Sequence, residues 1–135
     1  MSKIELDNKY FEIISTSDVF KGLFEKSFPV KMSYQLSIIL KEIENLSNIY
    51  FEEKRKLILK HSIKDDNQNP ISNESGDAKF DNPQEFMEEF NELLNVVNTL
   101  NAERILVDLE ELDKKIPEGI KLNEINILKP LIEIE

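Results

Sequence analysis

The longest regular pattern of apolar and polar positions runs from Val30 to about His61. No Gly or Pro interrupts it, and at ~1.5 Å per residue it predicts one helix ~45 Å long. Because a compact domain of this size needs no helix of that length, we expect part of it to pack against a partner or a second copy. The apolar residues recur at spacings of three, four and seven, and they are Met32, Leu36, Ile39, Leu40, Ile43, Leu46, Tyr50 and Leu57.

A second helix is predicted to begin at Asn82, where the start signals are unusually complete. Asn82 is a suitable N-cap, Pro83 stands at the first helical position, and Glu85 completes a capping box. Its core face contains Phe86, Phe90, Leu93, Leu94 and Val97.

The predicted fold class is mainly α, with these two helices as a long antiparallel pair and a polar hairpin loop, residues 64–80, between them. We expect a short N-terminal helix from Ser15 or Ser17 to about Ser27, and minor β pieces in the first 14 residues, at RILVDL and in the C-terminal tail. An α+β fold is the alternative. A chain of 135 residues is predicted to form a single domain, residues 1–135. The residues expected to be buried together between the two helices are Leu36, Ile43, Leu46, Phe86 and Phe90.

The polar loop contains a stretch with the alternating acidic and amide side chains of a calcium loop, DDNQNPISNESGD. Asp65, Asn67 and Asn69 fit the first three ligand positions of an EF-hand. Pro70 stands where that loop requires Gly, and Gly76 where it requires a bidentate Glu. We therefore predict a polar loop or wide hairpin built by turn residues, without a calcium site.

The amino-acid composition excludes several classes of functional site. Without cysteine the chain has no disulfide, thiolate nucleophile or Cys-based zinc site. Its three glycines stand too far apart for a phosphate-binding loop, a dinucleotide fingerprint or a nucleophile elbow. No segment resembles an export signal or approaches the ~18 apolar residues of a membrane span. We expect a cytoplasmic, non-enzymatic protein without cofactor, metal or membrane contact.

The only histidine, His61, falls at the end of the long predicted helix. A cation at a helix C-terminus interacts favourably with the helix dipole, so a structural role is expected. A single imidazole also falls short of the two or three found in the usual zinc sites.

Negative charge is concentrated in one segment. The net charge is −10, and residues 81–113 hold 10 acidic side chains against 1 basic side chain, Arg104, which gives −9. An acidic surface repels phosphate backbones and attracts basic proteins, so we expect a protein partner with a basic surface and no direct nucleic-acid binding. The candidate partner-binding residues are Glu85, Glu88, Glu89, Glu92, Asp108, Glu110 and Glu111.

The four glutamates from Glu85 to Glu92 lie three and four positions apart, on one face of the second predicted helix. A plain solvated face and a weak metal site are the alternatives to partner binding. Helix bundles that bind two iron ions use Glu-x-x-His at this spacing, and no His follows here.

Three segments also resemble a known group of proteins: FPVKMSYQLSIILKEIE, FEEKRKLILKHSIKDDNQNPISNESGDAKFDNPQEFMEEFNELLN and IKLNEINILKPLIE. The chain looks like small, uncharacterised proteins of phages and prophages of low-GC Gram-positive bacteria, in which a long helix leads to a KDEDG-like hairpin and an acidic helix. It departs from them at the turn, where Asn69 and Pro70 replace Asp and Gly. The resemblance implies a phage context, a bacterial host cell and a small non-enzymatic role.

Two functions follow as hypotheses. In the first, the protein binds a host or phage protein through its acidic surface, as an inhibitor of host defence such as an anti-CRISPR protein or a nucleic-acid mimic. In the second, it is a dimeric structural or assembly factor, such as a virion morphogenesis chaperone. Such a homodimer would pair the long helices as a coiled coil and bury the apolar stripe at residues 32–50, so the oligomeric state discriminates between the two.

Overall fold

The computed structural model describes residues 2–135, which form helices and short strands. In chain order the elements are β1 (Lys3–Asp7), α1 (Asn8–Ser15), α2 (Asp18–Leu23), α3 (Val30–His61), α4 (Pro83–Leu94), β2 (Val97–Glu103), β3 (Ile105–Val107), α5 (Leu109–Lys115), α6 (Leu122–Leu128) and β4 (Ile132–Ile134). A 3₁₀ turn, Lys129–Leu131, lies between α6 and β4.

Helix α3 confirms the long helix predicted from the apolar pattern. It starts directly after Pro29 and ends with Lys60 and His61 in its last turn, where a cationic side chain suits the helix dipole. The buried residues follow the helical period and define the face that packs on the rest of the protein; they are Met32, Leu36, Ile39, Ile43, Tyr50 and His61.

The predicted long antiparallel helix pair is wrong. Helix α4 has 12 residues against 32 in α3, so the two cannot pair along their length. Helix α1 and strand β2 also pack on α3. Val97, which we assigned to the core face of the second helix, is the first residue of β2. Helix α4 stops early because the following residues, VNTLNAE, alternate between outward and inward positions with the period of a strand.

Two small sheets join distant parts of the chain. Strand β1 pairs with β2 in antiparallel fashion, with Leu6 opposite Asn98. It lies within the first 14 residues, where a β piece was predicted. Strand β3 lies in the predicted RILVDL run and pairs in parallel with β4, with Ile105 opposite Ile132. The C-terminal tail is more regular than expected, because it forms α6 as well as β4.

The main hydrophobic core lies between α3, the two sheets and the flanking short helices. Leu36 and Ile43 are buried there as predicted, while Leu46 is only partly buried against it. Phe86 is buried elsewhere, in an aromatic cluster at the start of α4, where its ring stacks on Phe80 at 3.9 Å between centroids. Phe90 joins Phe86 at 5.6 Å but stays half-exposed. The prediction of a single core between the two helices is therefore wrong, because these residues belong to two separate apolar clusters.

The connection between α3 and α4 is built from two tight turns. Bridges pair Lys64 with Pro70 across the first turn and Ser72 with Ala78 across the second. In the first turn Asp65 Oδ1 accepts hydrogen bonds from the backbone N–H of Asn67 and of Asn69, both at 2.9 Å. The Asp65 carboxylate, which would be the first ligand of a calcium loop, is thus used for hydrogen bonds within the turn.

The second turn repeats the first after eight residues. Asn73 Oδ1 accepts from the backbone N–H of Ser75 and of Asp77, at 2.9 and 3.0 Å. The residue in the left-handed region is Gln68 in the first turn and Gly76 in the second, at φ of 65° and 84°. Backbone hydrogen bonds of 2.8 to 2.9 Å also link three positions eight apart into a ring, Ile63, Ile71 and Lys79.

Candidate functional site at the junction of α3 and α4

The end of α3 and the start of α4 are held together at the base of the two turns. The backbone N–H of Asp81 donates to the carbonyl of His61 at 3.1 Å, and Ser62 forms a bridge with Phe80. Asn82 then caps α4, accepting a hydrogen bond from the Glu85 N–H at 3.2 Å, as the capping pattern predicts. Side chains from both helices therefore meet in a fixed arrangement.

Glu89 contacts both residues at the end of α3. Its Oε2 lies 2.5 Å from His61 Nε2, and its Oε1 lies 3.1 Å from Lys60 Nζ. The His61 hydrogen bond, assisted by that of Lys60, lowers the pKa of the Glu89 carboxyl below its ordinary value. The His61 side chain is only 8% exposed, and its ring packs against Phe86 with centroids 6.0 Å apart, so this contact adjoins the aromatic cluster.

Glu85 approaches the same point from one turn earlier in α4. One ligand atom from each of His61, Glu85 and Glu89 lies within 4.8 Å of the other two. This group was not predicted from the sequence, because only a histidine within α4 was considered as a partner of these acids, whereas His61 comes from α3. One feature of the sequence could have predicted the group. A histidine at the end of one helix and acids at the start of the next come close together when the connection between the helices folds back.

Glu88 and Glu92 lie on the outer face of α4, and both are exposed. Within residues 2–135 neither of them forms an ion pair, and neither does Glu85. Two acids of α3 behave differently: Glu52 pairs with Arg55 at 2.7 Å and Glu53 pairs with Lys56 at 3.2 Å.

The other three candidate residues lie at the opposite end of α3. Asp108 Oδ1 caps α5 by accepting from the N–H groups of Glu110 and Glu111, at 3.1 and 3.3 Å. Asp108 and Glu111 also line an open cavity of about 490 Å³ beside residues 29–35. Between Lys31 at this cavity and Lys60 at the other end, α3 rises ~43 Å. The seven candidate residues therefore form two separate groups.

A third polar contact, which was not predicted from the sequence, joins α1 to the middle of α3. Glu12 Oε1 accepts hydrogen bonds from Tyr50 Oη and Lys54 Nζ, both at 2.5 Å. Burial tends to raise the Glu12 pKa, but the hydrogen bonds from Lys54 and Tyr50 outweigh it, and the net pKa is lowered. For Tyr50 burial comes first and its hydrogen bond to Glu12 second, and both raise its pKa. This contact joins α1 to α3.

The apolar stripe that we expected to mediate dimerisation is used inside the chain, since most of its residues belong to the core. A different set of apolar residues is exposed on the opposite face of α3, with Val30 88% and Tyr34 71% exposed. Their spacing keeps them on one side of the helix, and the set is Val30, Tyr34, Ile38 and Ile49. We call this set the outer stripe.

Comparison with protein families, with curated proteins and with solved structures gives no match. Across residues 2–135, no helix is long and apolar enough to cross a membrane. The functional argument therefore rests on the geometry of the described residues.

Proposed function

We propose that this protein is non-enzymatic and binds a protein partner with a basic surface through the outer face of α4. The supporting observation is that Glu85, Glu88 and Glu92 are exposed and form no ion pair within residues 2–135. In α3, Glu52 and Glu53 are neutralised by bases three positions later, whereas α4 contains no basic residue that could neutralise its own carboxylates. We name Glu85, Glu88 and Glu92 the acidic face.

Carboxylates grouped without bases repel one another and give up the small stabilisation that mixed charges provide on a helix. A basic partner removes that repulsion on binding and is drawn in by long-range attraction. Asp108, Glu110 and Glu111 are left out of this surface, because they lie at the other end of α3 and Asp108 caps α5. The acidic face alone carries the proposal.

The resemblance to phage proteins directs the proposal to a host or phage protein, and inhibition of host defence is the role we favour. Mimicry of nucleic acid is the narrower form of this idea. The acidic face spans ~10 Å of helix with three carboxylates, whereas duplex DNA has one phosphate per ~1.7 Å, or ~6 over that length. The charge density is about half, so a general basic protein surface fits better than a groove specialised for DNA.

A capture experiment from host-cell lysate tests the proposal. The double variant Glu88→Gln with Glu92→Gln removes two charges from the acidic face. The control, Glu52→Gln with Glu53→Gln, removes two charges from α3, where both are already paired. We expect the parent and the control to retain the same basic protein and the α4 variant to lose it. Equal retention by all three proteins would exclude the acidic face.

A second function, the dimeric assembly factor, is favoured by the outer stripe. Exposed apolar side chains along one face of a helix of 32 residues offer a surface for a second copy of the chain. Light scattering coupled to size exclusion gives the mass directly. A dimer that Tyr34→Lys converts to a monomer supports this function, and a monomeric parent at high concentration rejects it.

A further inference from the structure

We infer that His61, Glu85 and Glu89 bind a divalent transition-metal ion of the zinc type. Their ligand atoms lie within 4.8 Å of one another, at the junction of two helices. Zn²⁺ takes imidazole nitrogen and carboxylate oxygen as ligands, and a site with three protein ligands leaves the fourth position to water. The usual zinc sites have two or three imidazoles, whereas here one imidazole is combined with two carboxylates. The inference goes beyond the proposed function: Glu85 belongs to both residue sets, but Glu88 and Glu92, which the partner-capture test replaces, have no part in the metal site.

The distances fit after small side-chain movements. With metal–ligand bonds of ~2.0–2.2 Å in a tetrahedron, neighbouring ligand atoms stand ~3.3–3.6 Å apart. His61 Nε2 and Glu89 Oε2, now at 2.5 Å, separate by ~1 Å to admit the ion. Glu85 moves towards them, and its exposed side chain is able to rotate.

The histidine is the fixed ligand of the three. Its side chain is 8% exposed, and the ring packs edge-on against Phe86 with centroids 6.0 Å apart. The two carboxylates stand four residues apart in α4, and one oxygen of each lies within 4.8 Å of a His61 ring nitrogen. An imidazole held in place lowers the ordering cost of binding, and it favours zinc-type ions over Ca²⁺ and Mg²⁺, which prefer oxygen ligands alone.

Lys60 competes with the ion for Glu89. Its Nζ lies 3.1 Å from Glu89 Oε1, but the side chain is 63% exposed and able to swing away. Removing this charge with Lys60→Gln should therefore raise metal affinity severalfold.

The test is a calorimetric titration of the untagged 135-residue chain with ZnCl₂ after treatment with a chelator, since an added histidine tag would bind zinc itself. His61 is the only histidine, so its imidazole nitrogen resonances report on the site without any substitution. We expect one equivalent to bind and these resonances to shift. Glu85→Gln should weaken binding by more than the ~10- to 100-fold that loss of an outer-shell partner costs. Glu88→Gln, which removes the same charge from the same helix, should match the parent.

Three outcomes would overturn the site: no saturable heat, binding that leaves the His61 resonances in place, or equal losses in Glu85→Gln and Glu88→Gln. The last would mean loose adsorption to an acidic surface. Partner capture is measured with chelator present and with the Glu88 and Glu92 variants, so failure of one proposal leaves the other open to its own test.

Discussion

At the residue scale, two carboxylates hold elements of the structure together. Glu12 joins α1 to α3 through Tyr50 and Lys54, and Glu89 joins α4 to the end of α3 through His61 and Lys60. The pKa of each lies below its ordinary value of 4.5. Sequence could not predict these contacts, because Glu12 and Lys54 stand 42 positions apart and their meeting depends on how the helices cross.

The lowered pKa values predict a loss of stability in acid. A carboxyl with a lower pKa in the folded chain stabilises the fold above its unfolded value of 4.5. That contribution disappears as the pH falls through the folded-state value, when both states become protonated. Urea unfolding should show stability decreasing below pH 4.5, with a smaller decrease in Glu12→Gln. Glu118→Gln, at an exposed position, is the control; the same pH dependence in all three proteins would contradict the assignment.

At the element scale, the two faces of α3 have opposite roles. Leu36 is 2% exposed on the core face, and Ile38 is 48% exposed on the outer stripe. Leu36→Ala should lower the free energy of unfolding by ~2–5 kcal/mol, since it leaves a cavity in the main core. Ile38→Ala should cost less than ~0.5 kcal/mol in a monomer. Denaturant unfolding measures both, and comparable losses would mean that the faces are assigned the wrong way round.

Some elements of the structure could be predicted from the local sequence pattern alone, and others could not. Helix α3 and the start of α4 were predictable, because a 3.6-residue period and an Asn82 N-cap followed by Pro83 are written in consecutive residues, although only the Asn82 half of the predicted capping box forms. Strand β2 was not, because its pairing partner β1 lies about 90 residues earlier and Val97 alone extends a helical apolar face equally well. The two turns between α3 and α4 carried a usable signal, the eight-residue spacing of Asp65 and Asn73.

At the scale of the whole molecule, the −9 segment of the sequence does not form one surface. Its α4 part lies at the end of α3 and its α5 part at the beginning, ~43 Å away along the helix. Composition predicted the amount of negative charge but not this division, which depends on strands β2 and β3 carrying the chain back along α3. The acidic face on α4 is exposed, lacks ion pairs within residues 2–135 and lies on a helix that contains no basic residue.

The most direct test of the central claim is the affinity of the captured partner, measured at several salt concentrations for the parent and for the Glu88→Gln, Glu92→Gln variant. Binding that depends on the acidic face weakens as salt screens the charges. We expect weaker binding by the variant at low salt, a shallower salt dependence, and affinities that converge at high salt. Equal affinity of the two proteins at low salt would contradict the claim that function resides on the acidic face.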